Sequence, residues 1–438
     1  MRIYYNGPMQ QDTFVVEGLA GKPGLTGTVK ISGAKNHVLK VMAAAALIEG
    51  ESKFENVPGI ADVDAMGKLL EGLGAFVTKS GSSLTVSAKR MSGTVFDAAL
   101  AKSLRASIVL TGPILARMGS VTFPHPGGDI IGERAIDVFL SGFEQLGAAV
   151  SHEGGTYTVS APKGLSGGEV FFRVVSVTGT ETLMMAATFA KAPVVLKNCA
   201  MEPEVVATAE YLKACGAKID GVGGTTIIVH PSSLTPPPEP FSIIPDRIEA
   251  GSFLALGAMA GKDLTIQGVV PQHLDALIQT LWAMGVPLTI SGDAITLSAP
   301  EKLLPVNVRT HEYPGFPTDA QAPFSVLLTQ AEGESVVVES IFDGRLAYTT
   351  ELVKMGANIS LISPHRARVT GKTPLSAITV DSPDIRAGLA LVLAAVIAKG
   401  QSTIGNVHLI DRGYEGVENK LAALGLSIKR VPGVARPA

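Results

Sequence analysis

A chain of 438 residues with a formal charge of −3 lacks the basic excess that a nucleic-acid surface needs. Hydrophobic residues make up 46% and the mean hydropathy is +0.32, yet the longest apolar runs, 41–48 and 387–398, fall well short of the roughly 20 residues of a spanning helix. The two cysteines, Cys199 and Cys215, have neither metal-site nor redox spacing and read as small buried hydrophobes. The length suits two or three domains with large cores. The start, Met-Arg-Ile-Tyr-Tyr-Asn-Gly-Pro, has no apolar h-region, so no signal peptide and a cytoplasmic location are expected.

Taken in order, the chain repeats one phrase six times. An amphipathic helix ends in an apolar residue and a glycine, as in Leu70-Glu-Gly-Leu-Gly74-Ala-Phe-Val, and short β-rich segments follow. The other glycines are Gly147, Gly216, Gly285, Gly356 and Gly425, at spacings of 73, 69, 69, 71 and 69. Each stands where a helix C-terminus prefers glycine.

Every repeat opens with a very apolar helix, expected over 37–47, 104–118, 180–191, 248–261, 320–331 and 385–398. A short strand follows, for example 121–123, 194–196, 264–266 or 335–338. The amphipathic helix comes next, then one or two strands, for example 84–87, 157–160 or 225–230. Helices apolar all round belong inside; two-faced helices belong outside. The period exceeds the roughly 20–50 residues of ordinary solenoids, so three units in each of two similar domains fit better. The segment 231–240, with Thr-Pro-Pro-Pro-Glu-Pro, is a stiff linker candidate between the third and fourth units. A cleft between two such domains is a natural ligand site.

Two features carry possible chemistry. The stretch from Pro124 to Asp137 holds Gly127, Gly128, Gly132, Pro124 and Pro126, which break helix and strand periodicity and make a built loop. With Asp129 at its tip and Arg134 at its base, it reads either as a lid over an anionic substrate or as an ordinary turn. Charged residues also recur at the starts of the apolar helices: Lys35-Asn36, Arg105, Asp246-Arg247, Asp319 and Asp384-Ile-Arg386. Asp246 and Asp384 there are caps or ligands. Lys and Arg oppose the helix dipole and need another reason, which an anionic ligand supplies.

The motifs Ser32-Gly-Ala-Lys-Asn36, Arg105-Ala-Ser, Pro126-Gly-Gly-Asp-Ile-Ile-Gly-Glu-Arg134, Glu202-Pro-Glu-Val, Pro245-Asp-Arg-Ile-Glu249, Phe316-Pro-Thr-Asp319, Arg345, Ile385-Arg386-Ala and Ile410-Asp-Arg-Gly-Tyr-Glu415 follow one another in a familiar order. Together they resemble the UDP-N-acetylglucosamine 1-carboxyvinyltransferases, the enolpyruvyl transferases that open peptidoglycan synthesis. The resemblance runs from about Phe14 to Val431. It implies an α/β fold of two similar domains, each an inside-out barrel of three α/β units, with the active site in the cleft. The chain would cross twice, giving one domain of 35–240 with a lid at 124–134 and a discontinuous one of 1–34 plus 241–438.

The resemblance also implies roles. Lys35 would bind phosphoenolpyruvate and Asn36 the sugar. Arg134 and Arg412 would hold the phosphate and carboxylate of phosphoenolpyruvate, and Arg105, Arg345 and Arg386 would complete the cationic wall. Asp319 would be the base near the sugar 3-hydroxyl. Ala135, Ile136, Asp137, Val138, Ser176 and Val177 would line the uridine site, with Ile341 near it. Asp129 stands where the family's lid acid is usually Cys, the thiol that fosfomycin alkylates. His37, Lys40 and Thr178-Gly179 also depart from the usual pattern, beside the sugar-nucleotide site. No metal or cofactor is implied. Two alternatives remain at this level: the sister transferase acting on shikimate 3-phosphate, whose corresponding motif reads Gly-Ser-Lys-Ser, and a paralogue that binds a UDP-sugar without turnover.

Overall fold

The structure, a computed structural model, describes residues 12–128 and 136–433. All six apolar helices form. They are Lys35–Ala45; Thr111–Met118 preceded by a tight turn at Arg105–Leu110; Val177–Ala187; Arg247–Ala260; Gln321–Leu328 preceded by a tight turn at Thr318–Ala320; and Ile385–Ile397. Every side chain of Ile385–Ile397 is buried, and in Lys35–Ala45 only Asn36 is not. The amphipathic helices are Ala61–Gly72, Asp137–Gln145, Pro203–Ala214, Asp275–Ala283, Thr349–Lys354 and Val417–Ala423. Their terminal glycines, Gly74, Gly147, Gly216, Gly285, Gly356 and Gly425, all have φ between 81° and 104°. That left-handed conformation carries a steric penalty for any side chain with a Cβ, which is why the repeat is punctuated by glycine.

Among the described residues the strands form six sheets, one per repeat. Val194–Lys197 shows the pattern: it pairs antiparallel with Thr226–His230 on one edge and parallel with Gly168–Phe171 on the other. In the second repeat the parallel neighbour of Ser120–Pro124 shrinks to a single bridge, Val95 to Thr122. The last sheet borrows its inner strand from the start of the chain, with Thr13–Glu17 between Gln401–Gly405 and Ile428–Val431. Leu25–Lys30 likewise lies parallel to Gly261–Gln267.

The chain divides into two compact units, each with its own apolar core. One runs through residue 31, then Arg247–His311, then onward from Phe316; the other is Ser32–Asp246 with Glu312–Gly315. The two main crossings thus fall at 31/32 and 246/247 rather than at 34/35 and 240/241, and the short segment Glu312–Gly315 adds a further exchange between the units. The Pro-rich segment 231–240 lies before the second crossing, because Phe241–Ser242 still pairs with Glu51–Glu55 of the same unit. Within each unit the apolar helices pack inward under three sheets, the α/β architecture that the repeat implies.

Among the described residues no helix is long and apolar enough to cross a membrane, and no three His, Cys, Asp or Glu side chains gather as a metal site. Cys199 and Cys215 are both buried, and burial pushes each thiol up to about 11.

Candidate active site

Lys35 opens its helix without a side-chain cap from the preceding residue. Asp246 supplies that cap instead, its Oδ2 accepting from the Lys35 backbone N–H at 3.1 Å. The Lys35 Nζ lies 2.6 Å from Asp62 Oδ2, and both side chains are nearly buried. Part of the charge that opposes the helix dipole is therefore balanced within the fold. Asp62 escapes sequence reasoning because an acid in the first turn of an amphipathic helix looks like an ordinary partner of the dipole. Asp384 caps its own helix, accepting from Arg386 N–H at 2.8 Å and Ala387 N–H at 2.9 Å. Both acids left open as caps or ligands are thus caps in this structure.

Beneath Lys35 and Asn36 lie two of the departures from the family pattern. The Lys40 ammonium donates to the Asn36 carbonyl at 3.2 Å and lies 2.8 Å from Glu181 Oε2. Burial pushes the Glu181 carboxyl up to about 7 despite Lys40, with Glu204 and Glu202 adding to the rise. His37 is fully buried, and its Nδ1 accepts from the Ile244 N–H at 3.2 Å. Burial, and then the Lys40 charge, lower its pKa from 6.5 to about 3. The folded imidazole stays neutral while the unfolded one protonates first, so its contribution to stability is lost as pH falls from about 6.5 toward 3. Asn can offer an acceptor to the same N–H. His37→Asn should therefore lose less stability between pH 7 and 4 than the wild type, read as urea midpoints; parallel midpoint curves would refute the assignment.

Arg105 is half-buried and donates from Nη1 to the Pro126 carbonyl at 3.3 Å, at the near end of the glycine-rich loop. A Cβ on Gly127 would sit 1.6 Å from the Lys102 carbonyl oxygen, so only glycine fits there. Asp129, Arg134 and Ala135 lie outside the described residues. Ile136 is buried, Val138 half-buried, and the exposed Asp137 pairs with Arg173. Ser176 caps the helix Val177–Ala187 through Gly179 N–H at 3.0 Å. A Cβ on Gly179 would come within 3.3 Å of Val138 Cγ1 and 3.0 Å of Ser176, so these lining candidates meet around that glycine. This gives the Thr178-Gly179 departure a packing reason at Gly179.

The other unit brings together Asp319, Arg345 and Arg386. Arg345 Nη2 donates to Asp319 Oδ1 at 2.7 Å, and Arg386 donates to Oδ2 from Nε at 3.0 Å, with its Nη2 at 2.9 Å. Both guanidiniums are nearly buried, whereas Asp319 keeps 23% of its side chain accessible. Burial alone would raise the Asp319 pKa. The charges of Arg386 and Arg345 outweigh it, Arg247 adds to them, and the carboxyl is held well below the usual range. Arg345 Nη1 is buried with no hydrogen-bond partner among the described residues. Arg386 lies over the Tyr414 ring at 5.1 Å, two residues beyond the half-buried Arg412. Ile341 donates its N–H to Glu339 at 2.8 Å. Glu339 is a second acid that sequence reasoning misses, because a lone Glu after a strand has no spacing that marks it.

A family profile described as EPSP synthase (3-phosphoshikimate 1-carboxyvinyltransferase) matches residues 19–421. The chain is 44% identical over 424 residues to the UDP-N-acetylglucosamine 1-carboxyvinyltransferase of Koribacter versatilis, covering 96% of each chain. It is 43% identical to the protein of that name from Desulfatibacillum aliphaticivorans, covering 96% of this chain and all of the relative. Among solved structures, the enolpyruvyl transferase NikO from Streptomyces tendae superposes with a TM-score of 0.86 at 23% identity, covering 97% of this chain and 100% of that one. EPSP synthase from Acinetobacter baumannii superposes at 0.71 with 17% identity, covering 96% and 100%. These two likenesses speak for the fold.

Proposed function

The chain belongs to the EPSP synthase family of enolpyruvyl (1-carboxyvinyl) transferases, and we propose that it transfers the enolpyruvyl group of phosphoenolpyruvate to the 3-hydroxyl of UDP-N-acetylglucosamine. The sugar hydroxyl adds to C2 of phosphoenolpyruvate while an acid protonates C3. The tetrahedral adduct then loses phosphate and a proton. Such a reaction needs a base, an acid and fixed cations where anionic charge collects. In this reading Asp319 is the base and Asp129 the acid. Lys35, Arg105, Arg134, Arg345, Arg386 and Arg412 meet the phosphate and carboxylate. Asn36 and the residues around Val138, Ser176, Val177 and Ile341 receive the sugar nucleotide. The reaction belongs to peptidoglycan synthesis, and its soluble nucleotide-sugar and phosphoenolpyruvate substrates support a cytoplasmic location as part of this proposal.

The observation that carries the reading is the clamp on Asp319. A carboxylate held so far below its usual pKa is a poor base until its guanidinium partners turn to another anion. The phosphate and carboxylate of phosphoenolpyruvate are such anions, so arrival of the second substrate raises the basicity of Asp319 at the moment the hydroxyl must lose its proton. The buried Nη1 of Arg345 is a donor that a bound anion would satisfy.

Phosphate release with UDP-N-acetylglucosamine, with shikimate 3-phosphate, or with neither acceptor tests the reading. Release with the sugar nucleotide alone is expected; release with shikimate 3-phosphate alone would assign the sister reaction, and release with neither a binding paralogue. Lys35→Ala and Arg412→Ala should each lower turnover on the order of 10²-fold or more while thermal unfolding stays cooperative, as expected for removing a charge at a reacting phosphate. Near wild-type rates in both would place the site elsewhere.

A further inference from the structure

Glu339 is 1% exposed and follows the strand Gly333–Val338. A buried carboxylate survives only if hydrogen bonds replace its lost water. Five donors do so here, and they divide between the two oxygens. Oε1 accepts from Ile341 N–H at 2.8 Å, Phe342 N–H at 3.1 Å and Thr310 Oγ1 at 3.0 Å. Oε2 accepts from Thr318 Oγ1 at 2.8 Å and Gln321 Nε2 at 3.2 Å.

The two sets lead to different parts of the candidate site. The Oε1 set shapes the turn that carries Ile341, and the chain runs from that turn to Arg345. The Oε2 set grips the residues on either side of Asp319: Thr318 immediately before it and Gln321 two residues after. Arg345 then reaches back to Asp319 at 2.7 Å, so the contacts close a ring: Thr318, Glu339, the turn at 341–342, Arg345 and Asp319. Gln321 is itself held, its Oε1 accepting from the Tyr348 hydroxyl, whose oxygen also lies 2.7 Å from Ser325 Oγ.

We propose that Glu339 is a positioning residue for the transfer, one carboxylate oxygen setting the nucleotide-lining turn at Ile341 and the other setting the segment that carries the base Asp319. This rests on the function proposed above. Glu339 touches neither substrate; it fixes the distance between a binding wall and a base, and misplacement of a base by about 1 Å is enough to cost on the order of 10²-fold.

Two variants separate the two oxygens. Glu339→Gln keeps the shape but turns an NH2 toward one of the donor sets. Thr318→Val removes a single donor, on the Oε2 side alone. In steady-state kinetics Glu339→Gln should raise KM for UDP-N-acetylglucosamine and lower kcat, each by about tenfold, as for a lost acceptor to buried donors. Thr318→Val should lower kcat by about tenfold and leave that KM within about twofold. A merely structural role would reduce the fraction of folded enzyme and leave both KM values at wild type; that result, with the lost kcat accounted for by the lost folded fraction, would overturn the proposal. If Glu339→Gln fails to fold, Thr318→Val decides alone: wild-type kcat in a folded Thr318→Val overturns it. A wild type that neither binds nor turns over the sugar nucleotide overturns the function proposed above, and the role of Glu339 falls with it. A wild type that does, with unaltered variants, overturns only the role of Glu339.

Discussion

Incubation with fosfomycin should leave the activity constant with time and add no mass to the intact protein. In the family this chain resembles, the lid thiol opens the epoxide; here the corresponding residue is Asp129. Thiolates are strong nucleophiles toward carbon, a carboxylate is much weaker, and a carboxyl kept protonated to serve as an acid is weaker still. No other thiol substitutes for it. Cys199 and Cys215 are both 1% exposed, and burial pushes their pKa values to about 11, so neither presents a thiolate near neutral pH. Reversible competition with phosphoenolpyruvate is the most the drug should achieve. Asp129→Cys should restore time-dependent inactivation and retain turnover. Its pH profile should shift, because the free acid's pKa moves from about 4 to about 8.5. Inactivation of the wild type with one drug adduct by intact mass would remove Asp129 from the proposed mechanism.

Asp319→Asn should lower kcat by roughly 10²- to 10⁴-fold, the range for deleting a positioned general base. The amide keeps the size of the carboxylate but cannot take the proton of the sugar hydroxyl. It also releases Arg345 and Arg386 from their internal counter-ion, so KM for phosphoenolpyruvate should fall while kcat collapses. A lowered KM beside the lowered kcat distinguishes loss of the base from loss of the fold, which would leave both KM values unchanged in the folded fraction. Thermal stability should drop as well, since two nearly buried guanidiniums lose their shared partner. A variant with kcat within tenfold of wild type would assign the base elsewhere.

Much of the architecture follows from local chemistry. Gly74 and its five equivalents mark helix ends because only glycine takes a φ near 90° without strain, and that preference needs no tertiary partner. The helices of the Ile385–Ile397 type are buried because no polar face was available to turn toward water. Lys35 and Arg386 stand out in the sequence because cations near the start of apolar helices are unusual there, whereas Arg345 is marked only by the family resemblance.

The rest depended on which distant segments meet. Nothing in Thr13–Glu17 indicates that it becomes the inner strand of the last sheet; strand pairing is a long-range choice, and any half-apolar strand satisfies the local rules. The Pro-rich segment 231–240 looked like the crossing, yet pairing of Phe241–Ser242 with Glu51–Glu55 carries the boundary six residues further. Asp246 capping Lys35 spans 211 residues of sequence. Asp62 beside Lys35, Glu181 against Lys40, and Glu339 with its five donors are all acids whose meaning lies in partners brought from elsewhere. Composition and periodicity determined how the chain is cut into helices and strands and which of them are buried. The balancing of each buried charge was decided only in the tertiary structure, because a charge can be taken out of water only when its counter-charge or donors arrive with it.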